Sequence, residues 1–200
     1  MAALPPLNSV LASGSDVDDP LASALATLFE PSPILYSDLV PGLAAYIPAS
    51  SRPIAMYSDL IDASLAVIST WSDDLKAQFI AGHPRIGEVK GLSHLSAKEQ
   101  AAAATPPEVL ARLAHLNACY EYRYPGLRYI TFVNRRTRAM IKDEMEGVLR
   151  LEPSLSSNQP VVETVGRVEV AGEEWKKELE RAVVDVGKIA KSRLKSLGVD

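Results

Sequence analysis

Apolar residues recur every three or four positions along most of this 200-residue chain, the spacing that lines one face of an α-helix. Prolines, glycines and short polar runs separate these stretches and mark where helices begin and end. The pattern predicts helices over residues 20–30, 37–46, 57–70, 138–149 and 173–197, with further helices beginning near Ser72, Ser96 and Thr105. The sequence therefore predicts an all-α fold, a single-domain helical bundle over residues 20–200.

Three segments lack this helical spacing. Residues 1–19 are small, polar and contain proline or aspartate, so we expect a flexible N-terminal tail. Residues 127–133 form a short apolar run between two helices. Residues 150–172 begin with proline, serine and asparagine and continue as V-V-E-T-V-G-R-V-E-V, which predicts an irregular insertion containing an extended stretch.

Composition and charge exclude several classes of protein. The 21 basic and 25 acidic residues give a net charge of −4 without a basic run, so we expect no nucleic-acid partner. No apolar stretch approaches the roughly 18 residues that a membrane helix needs, so we expect no membrane partner. The single cysteine, Cys119, allows no internal disulfide, which is typical of a reducing compartment.

The most legible chemistry lies between residues 81 and 100. His83 stands beside Pro84 just after a predicted helix end, and Glu99 begins the next helix. Imidazole and carboxylate are the side chains that most often transfer protons, so this segment indicates an acid–base site. There is a structural alternative for each residue: His83 can be a loop histidine bonded to backbone, and Glu99 can be the capping-box partner of Ser96.

Arg193 is the second candidate. It falls within the apolar stripe of the last predicted helix, seven residues after Val186 and four before Leu197. A guanidinium that faces the core needs an anion. That anion can be a ligand or, as the structural alternative, a buried carboxylate of the protein. His115, by contrast, falls on the polar face of its predicted helix, where we expect it to be exposed.

Other kinds of site find little support. The chain contains no H-E-x-x-H motif, no H-x-x-x-H pair and no paired cysteines, so we expect no metal site. Neither a glycine-rich phosphate loop nor a G-x-S-x-G elbow is present. Cys119 has no recognisable activating neighbour, which argues against a nucleophilic role.

Several short motifs, in one order, resemble those of a known family. The run H-P-R-I-G from His83 to Gly87 resembles the His-Pro-x-(Leu/Ile)-Gly motif of the 2-oxo-4-hydroxy-4-carboxy-5-ureidoimidazoline (OHCU) decarboxylases. The other matching segments are Phe29-Glu30 with Pro31-Ser32, Ser51-Arg52-Pro53, S-A-K-E-Q from Ser96 to Gln100, L-N-A-C-Y from Leu116 to Tyr120, Arg123-Tyr124, and I-A-K-S-R-L from Ile189 to Leu194. The resemblance spans about residues 20–197, and the long 150–172 segment is similar to that of fungal-type members.

The resemblance implies an all-helical homodimer that converts OHCU to S-allantoin in urate (purine) degradation. Such an enzyme is a carboxy-lyase that needs neither metal nor organic cofactor. It implies that His83 is the general acid that sets the S configuration, that Glu99 accepts the hydrogen bond of the substrate hydroxyl, and that Arg193 binds an anionic or carbonyl edge. The residues implied to line the pocket are Pro84, Ser96, Ala97, Lys98, Gln100, Tyr129, Ile130, Thr131, Phe132 and Val133.

The resemblance also bears on location. Animal and plant members are often peroxisomal, whereas this chain carries no recognisable targeting signal. We therefore expect a cytoplasmic or peroxisomal protein.

Two departures from the family's pattern leave alternatives open. The turn R-Y-P-G-L-R-Y-I carries Arg128 where the family has a small or apolar residue, and residues 150–172 are long. One alternative is a non-catalytic helical interaction domain that retains the fold. Another is a decarboxylase for a related ureido or imidazoline acid, with Arg128 as the residue that changes specificity.

Overall fold

The structure is a computed structural model that describes residues 4–88 and 105–199. In these two ranges every regular element is helical and no strand occurs, so the predicted all-α fold is confirmed. The α-helices are α1 (Leu7–Leu11), α2 (Pro20–Phe29), α3 (Val40–Ala49), α4 (Tyr57–Ser69), α5 (Asp73–Ala81), α6 (Pro107–Arg123), α7 (Arg138–Leu149) and α8 (Glu173–Ser196). A π-helical turn (Leu35–Leu39) precedes α3, and a 3-10 helix (Val162–Val165) lies between α7 and α8.

The chain divides into two compact units. Unit 1 comprises the chain up to His83 together with the segment from Val183 onward, and unit 2 runs from Pro84 to Ala182. Helix α8 therefore begins in unit 2 and ends in unit 1. The sequence predicted no boundary at these points, and a single domain over residues 20–200 stays a prediction.

The core of unit 1 follows from helical spacing. Leu21, Leu25 and Leu28 form one fully buried stripe on α2, and α4 contributes a second. Local polar contacts fix where two helices begin. The Asp59 carboxylate accepts from the backbone N–H of Met56 at 3.1 Å at the start of α4, and Ser72 Oγ accepts from Leu75 N at 3.3 Å at the start of α5.

Close packing explains Gly82, which follows the last turn of α5. A β-carbon at this position would lie 2.7 Å from the β-carbon of Ser32, closer than such atoms approach in real proteins. The Ser32 hydroxyl in turn accepts from Leu35 N at 3.2 Å, so Ser32 has little room to move. The backbone just before His83 is therefore held close to the segment that follows α2.

Unit 2 is built on α6 and α7, which pack against each other. Arg112 and Glu146, both 1% exposed, form a buried ion pair between these helices, with a distance of 2.8 Å from Nη2 to Oε1. Lys142 adds a second cation to Glu146 at 2.8 Å. Trp175 at the start of α8 is also buried, and its indole N–H donates to the carbonyl of Pro125 at 3.0 Å.

The segment between α7 and α8 is irregular, as the sequence predicted, but the 3-10 helix (Val162–Val165) takes the place of part of the expected extended stretch. A strand needs a neighbouring strand for its backbone hydrogen bonds, and the described chain offers none. Side chains of α6 bind the carbonyls of this segment instead: Arg112 donates to Ser156 at 2.9 Å, and His115 lies 2.9 Å from the Pro160 oxygen. The predicted exposure of His115 is also wrong, because this contact leaves the residue partly buried.

Part of the N-terminal segment, for which the sequence predicted a flexible tail, is helical. Helix α1 packs on α2 and buries Val10 completely. The Tyr57 hydroxyl donates to the carbonyl of Pro5 at 2.5 Å. None of the helices described is both long and apolar enough to cross a membrane.

Candidate active site

His83 lies two residues beyond α5, and local contacts orient its ring. The side chain is 4% exposed, and Nδ1 lies 3.3 Å from the carbonyl oxygen of Phe79, one turn back. The ring also meets the Phe79 ring edge-on, with 5.5 Å between centroids. A carbonyl oxygen can only accept a hydrogen bond, so we assign the hydrogen to Nδ1, which leaves Nε2 to exchange protons when the imidazole is neutral.

The surroundings of His83 disfavour its charged form. Burial, reinforced by the charge of Arg193, lowers its pKa from an ordinary 6.5 to about 4, while the charge of Glu30 acts in the opposite direction. His83 is therefore neutral at pH 7 in this structure. Two charged groups of unit 1 therefore act on the pKa of His83 in opposite directions: Arg193 lowers it and Glu30 raises it.

Arg193 faces the core of unit 1, as its position on the apolar stripe predicted. The side chain is 2% exposed and lies between buried neighbours on α8 such as Ala190 and Leu194. One terminal nitrogen, Nη2, donates to Glu30 Oε1 at 2.5 Å, and Nη1 donates to the carbonyl of Leu28 at 3.3 Å. The structural alternative, a buried arginine–carboxylate pair, is thus present.

Glu30 is a site residue that sequence reasoning did not select. It follows the last residue of α2, is 5% exposed, and has backbone angles of φ 75° and ψ 136°. A positive φ costs a residue with a side chain about 1–3 kcal/mol and recurs at functional sites. A carboxylate beyond a helix C-terminus also meets the negative end of the helix dipole, and this was the signal in the sequence that could have revealed it.

In unit 2, three residues of α6 hold the turn that follows His83. Glu121 receives two hydrogen bonds from Arg85, at 2.6 Å from Nε and 3.0 Å from Nη2. Asn117 Nδ2 donates to the carbonyl of Ile86 at 3.0 Å. Gly87 has a φ of +84° and packs against Leu113: a β-carbon added at Gly87 would lie 3.4 Å from the β-carbon of Leu113. The Arg-Ile-Gly part of the motif therefore has its own structural function.

Residues 129–133, also in unit 2, form an irregular segment fixed by arginines. Arg181 Nη1 donates to the Ile130 carbonyl at 2.8 Å. Arg136 donates to the carbonyls of Phe132 at 2.5 Å and Val133 at 3.1 Å. The hydroxyls of Tyr129 and Thr131 both donate to Glu144, the latter at 2.9 Å. This segment is held by side chains rather than by regular secondary structure.

The predicted site residues therefore fall into three groups. His83 and Arg193 lie together in unit 1, where the charge of Arg193 acts on the imidazole. Pro84 and the residues from Tyr129 to Val133 belong to unit 2. Ser96, Ala97, Lys98, Glu99 and Gln100 lie outside the described residues.

The described residues provide little support for other chemistries. No group of three or more histidine, cysteine, aspartate or glutamate side chains in residues 4–88 and 105–199 is placed to hold a metal ion. Burial raises the pKa of the Cys119 thiol, which disfavours the nucleophilic thiolate.

Comparison with known proteins identifies the family. The sequence matches the family model for OHCU decarboxylase over residues 17–160, which is most of the chain. The protein belongs to the OHCU decarboxylase family. A search of curated proteins found no match.

The fold is similar to that of a solved structure, a crystal structure of (S)-allantoin synthase. The TM-score is 0.53 and the sequence identity is 20%, and the match covers 96% of this chain. It covers 54% of the allantoin synthase chain, so the present chain spans about half the length of that protein. At this identity the likeness is one of fold.

Proposed function

We propose that this chain is a carboxy-lyase that converts OHCU to S-allantoin in urate degradation. Membership of the OHCU decarboxylase family supports the reaction. The observation that carries the proposal for this chain is the placing of His83, which is buried and lies within the electrostatic reach of both Arg193 and Glu30. A buried, strongly perturbed imidazole beside charged partners is typical of a proton-transfer site.

The substrate provides the electron sink for its own decarboxylation. One ring carbon carries both the hydroxyl and the departing carboxylate, next to a ring C=N bond. When that carbon–carbon bond breaks, CO2 leaves and the electron pair moves into the C=N bond, which takes up a proton at nitrogen and leaves an enol. A second proton then adds to the neighbouring carbon while the hydroxyl loses its own proton to become the carbonyl of allantoin. One proton is consumed overall.

His83 is the group that we propose adds the proton to carbon, from one face. It rests neutral, so it must acquire a proton before it donates one. The carboxylate of the substrate, brought next to the ring, raises the pKa of His83 just as the Glu30 charge does. Because Phe79 fixes the ring through Nδ1, Nε2 presents its proton in one direction, which accounts for a single product configuration.

Arg193 is the proposed anchor for an anionic or carbonyl edge of the substrate. A guanidinium carries five N–H donors, so it can bind a protein carboxylate and a further acceptor together. Burial strengthens each of these interactions, because little water screens them.

The remaining assignments complete the proposal. Glu99 accepts the hydrogen bond of the substrate hydroxyl, and the other lining residues implied by the family resemblance orient the ring. We further propose that the functional form is a homodimer, which light scattering tests by giving a mass twice that of the chain, whereas the mass of one chain contradicts it.

The test of the reaction is kinetic, because OHCU also decays spontaneously. Freshly generated OHCU is mixed with the protein or with buffer, and the release of CO2 is followed with time. The proposal predicts release well above the spontaneous rate and proportional to protein concentration. Release at the spontaneous rate at every protein concentration would rule out this reaction.

A further inference from the structure

The Glu30 carboxylate occupies a position that is unfavourable for a glutamate in two respects. Its backbone has φ 75° and ψ 136°, a region that favours glycine, and its side chain is almost fully buried. Residues kept in such conformations cluster at functional sites, where surrounding contacts hold them. Here one such contact is the guanidinium of Arg193.

Two residues at the end of α2, Leu28 and Glu30, each accept a hydrogen bond from Arg193. Glu30 Oε1 accepts from Nη2 at 2.5 Å, and the Leu28 carbonyl, two residues earlier, accepts from Nη1 at 3.3 Å. Two acceptors on two different nitrogens fix the plane of the guanidinium as well as its position. The neutral Leu28 carbonyl provides direction, whereas the Glu30 carboxylate also provides a negative charge.

We propose that Glu30 is a positioning residue of the reaction, which holds Arg193 in place and limits how strongly Arg193 binds the carboxylate that must leave. This inference rests on the proposed function. A departing carboxylate that is bound too tightly is stabilised in the ground state, and tighter ground-state binding slows the chemical step. The Glu30 carboxylate, bound to the same guanidinium, competes with the substrate carboxylate and so prevents ground-state binding that is too tight.

The same arrangement acts on His83. Two charges of unit 1 that act on this imidazole are those of Arg193, from α8, and Glu30, from the end of α2. Arg193 disfavours the protonated ring and Glu30 favours it. Loss of the Glu30 charge is therefore expected to lower the pKa of His83 and to make proton uptake harder.

The experiment compares Glu30→Gln with a matched control, Glu146→Gln. Both substitutions remove the charge of a buried carboxylate paired with a buried arginine, but Glu146 pairs with Arg112 in unit 2. In Glu30→Gln we expect KM for OHCU to fall about threefold and kcat to fall about tenfold or more, because Arg193 then binds the ground state too strongly. In Glu146→Gln we expect lower thermal stability with KM unchanged.

Other results would overturn the inference. Glu30→Gln could behave like the control, with an unchanged KM and an unchanged kcat per folded molecule. Glu30 would then have only a structural role. A higher KM would show that Glu30 aids substrate binding rather than limiting it. Wild-type protein that leaves OHCU decay unchanged would instead contradict the proposed function, so the two failures are distinct.

A second variant and a second measurement keep the test valid if Glu30→Gln folds poorly. Glu30→Asp keeps the charge on a shorter side chain, and KM and kcat between those of wild type and Glu30→Gln are expected. The His83 imidazole can be titrated by NMR, its signal being identified among the three histidines by its loss in His83→Gln. An unchanged His83 pKa in Glu30→Gln would contradict the electrostatic part of the inference.

Discussion

At the scale of single residues, the site combines three groups that are individually costly to bury. An imidazole, a guanidinium and a carboxylate lie at 4%, 2% and 5% exposure, and the two charged groups compensate each other. Helical spacing predicted the inward direction of Arg193, and the segment around His83 was recognisable from its motif. The partner Glu30 was not selected: its place just beyond a helix C-terminus was a local signal, but pairing across 163 positions of chain leaves no pattern that points to Arg193.

The buried neutral state of His83 predicts a specific dependence of stability on pH. The pKa is about 4 in the folded protein and about 6.5 in an unfolded chain, so the unfolded chain binds the proton more readily. The contribution of neutral His83 to the free energy of unfolding is therefore fully present above pH 6.5 and is lost as the pH falls from 6.5 to 4. This loss lowers the free energy of unfolding by about 3 kcal/mol.

This dependence is measured by urea unfolding of wild type and His83→Gln between pH 7 and pH 4. Wild type should lose about 3 kcal/mol more of its unfolding free energy over this range than the variant, which has no imidazole to protonate. The variant also serves as the control for the carboxylates, which titrate in both proteins. Parallel curves for the two proteins would contradict the assigned environment of His83.

At the scale of elements, the helices were predictable because each carries its own periodic pattern and caps. The helix predicted over residues 57–70 is observed as Tyr57–Ser69, and that over 173–197 as Glu173–Ser196. The extended stretch predicted in 150–172 was wrong where the 3-10 helix (Val162–Val165) lies, because valine-rich alternation does not reveal whether a partner strand exists. Side chains of α6, which lie more than 40 positions earlier in the chain, bind the segment instead.

The close approach of Gly82 to Ser32 gives the prediction at this scale. In Gly82→Ala the new β-carbon would meet Ser32 at 2.7 Å, so the backbone before His83 must shift. Overpacking of this kind costs about 1–3 kcal/mol, and we expect kcat to fall as well because His83 moves. Thermal unfolding and steady-state kinetics measure the two effects.

Gly147→Ala is the matched control. Gly147 lies within α7, and a β-carbon there would have nothing within 4 Å. Alanine is the better helix former by about 1 kcal/mol, so this variant should be as stable as wild type or more so, with unchanged kinetics. A Gly82→Ala protein that matched Gly147→Ala in both measurements would show that the close approach has no consequence.

At the scale of the whole molecule, family and fold class followed from short motifs and helical periodicity, and both are confirmed. The division into two units, with α8 beginning in one and ending in the other, left no such signal. Periodicity reports which face of a helix is buried, but it does not report which other helices cover that face. The predicted roles of Glu99 and of the other residues from 96 to 100 stay predictions.

The central claim is that His83 delivers a proton to one face of the reaction intermediate, and circular dichroism tests it most directly. Freshly generated OHCU is followed with wild type, with His83→Ala and without protein. We expect rapid appearance of one allantoin enantiomer with wild type, and a slow racemic decay, as without protein, with His83→Ala. Equal rate and equal enantiomeric excess in the two proteins would retain the reaction but contradict the role of His83 as its proton donor.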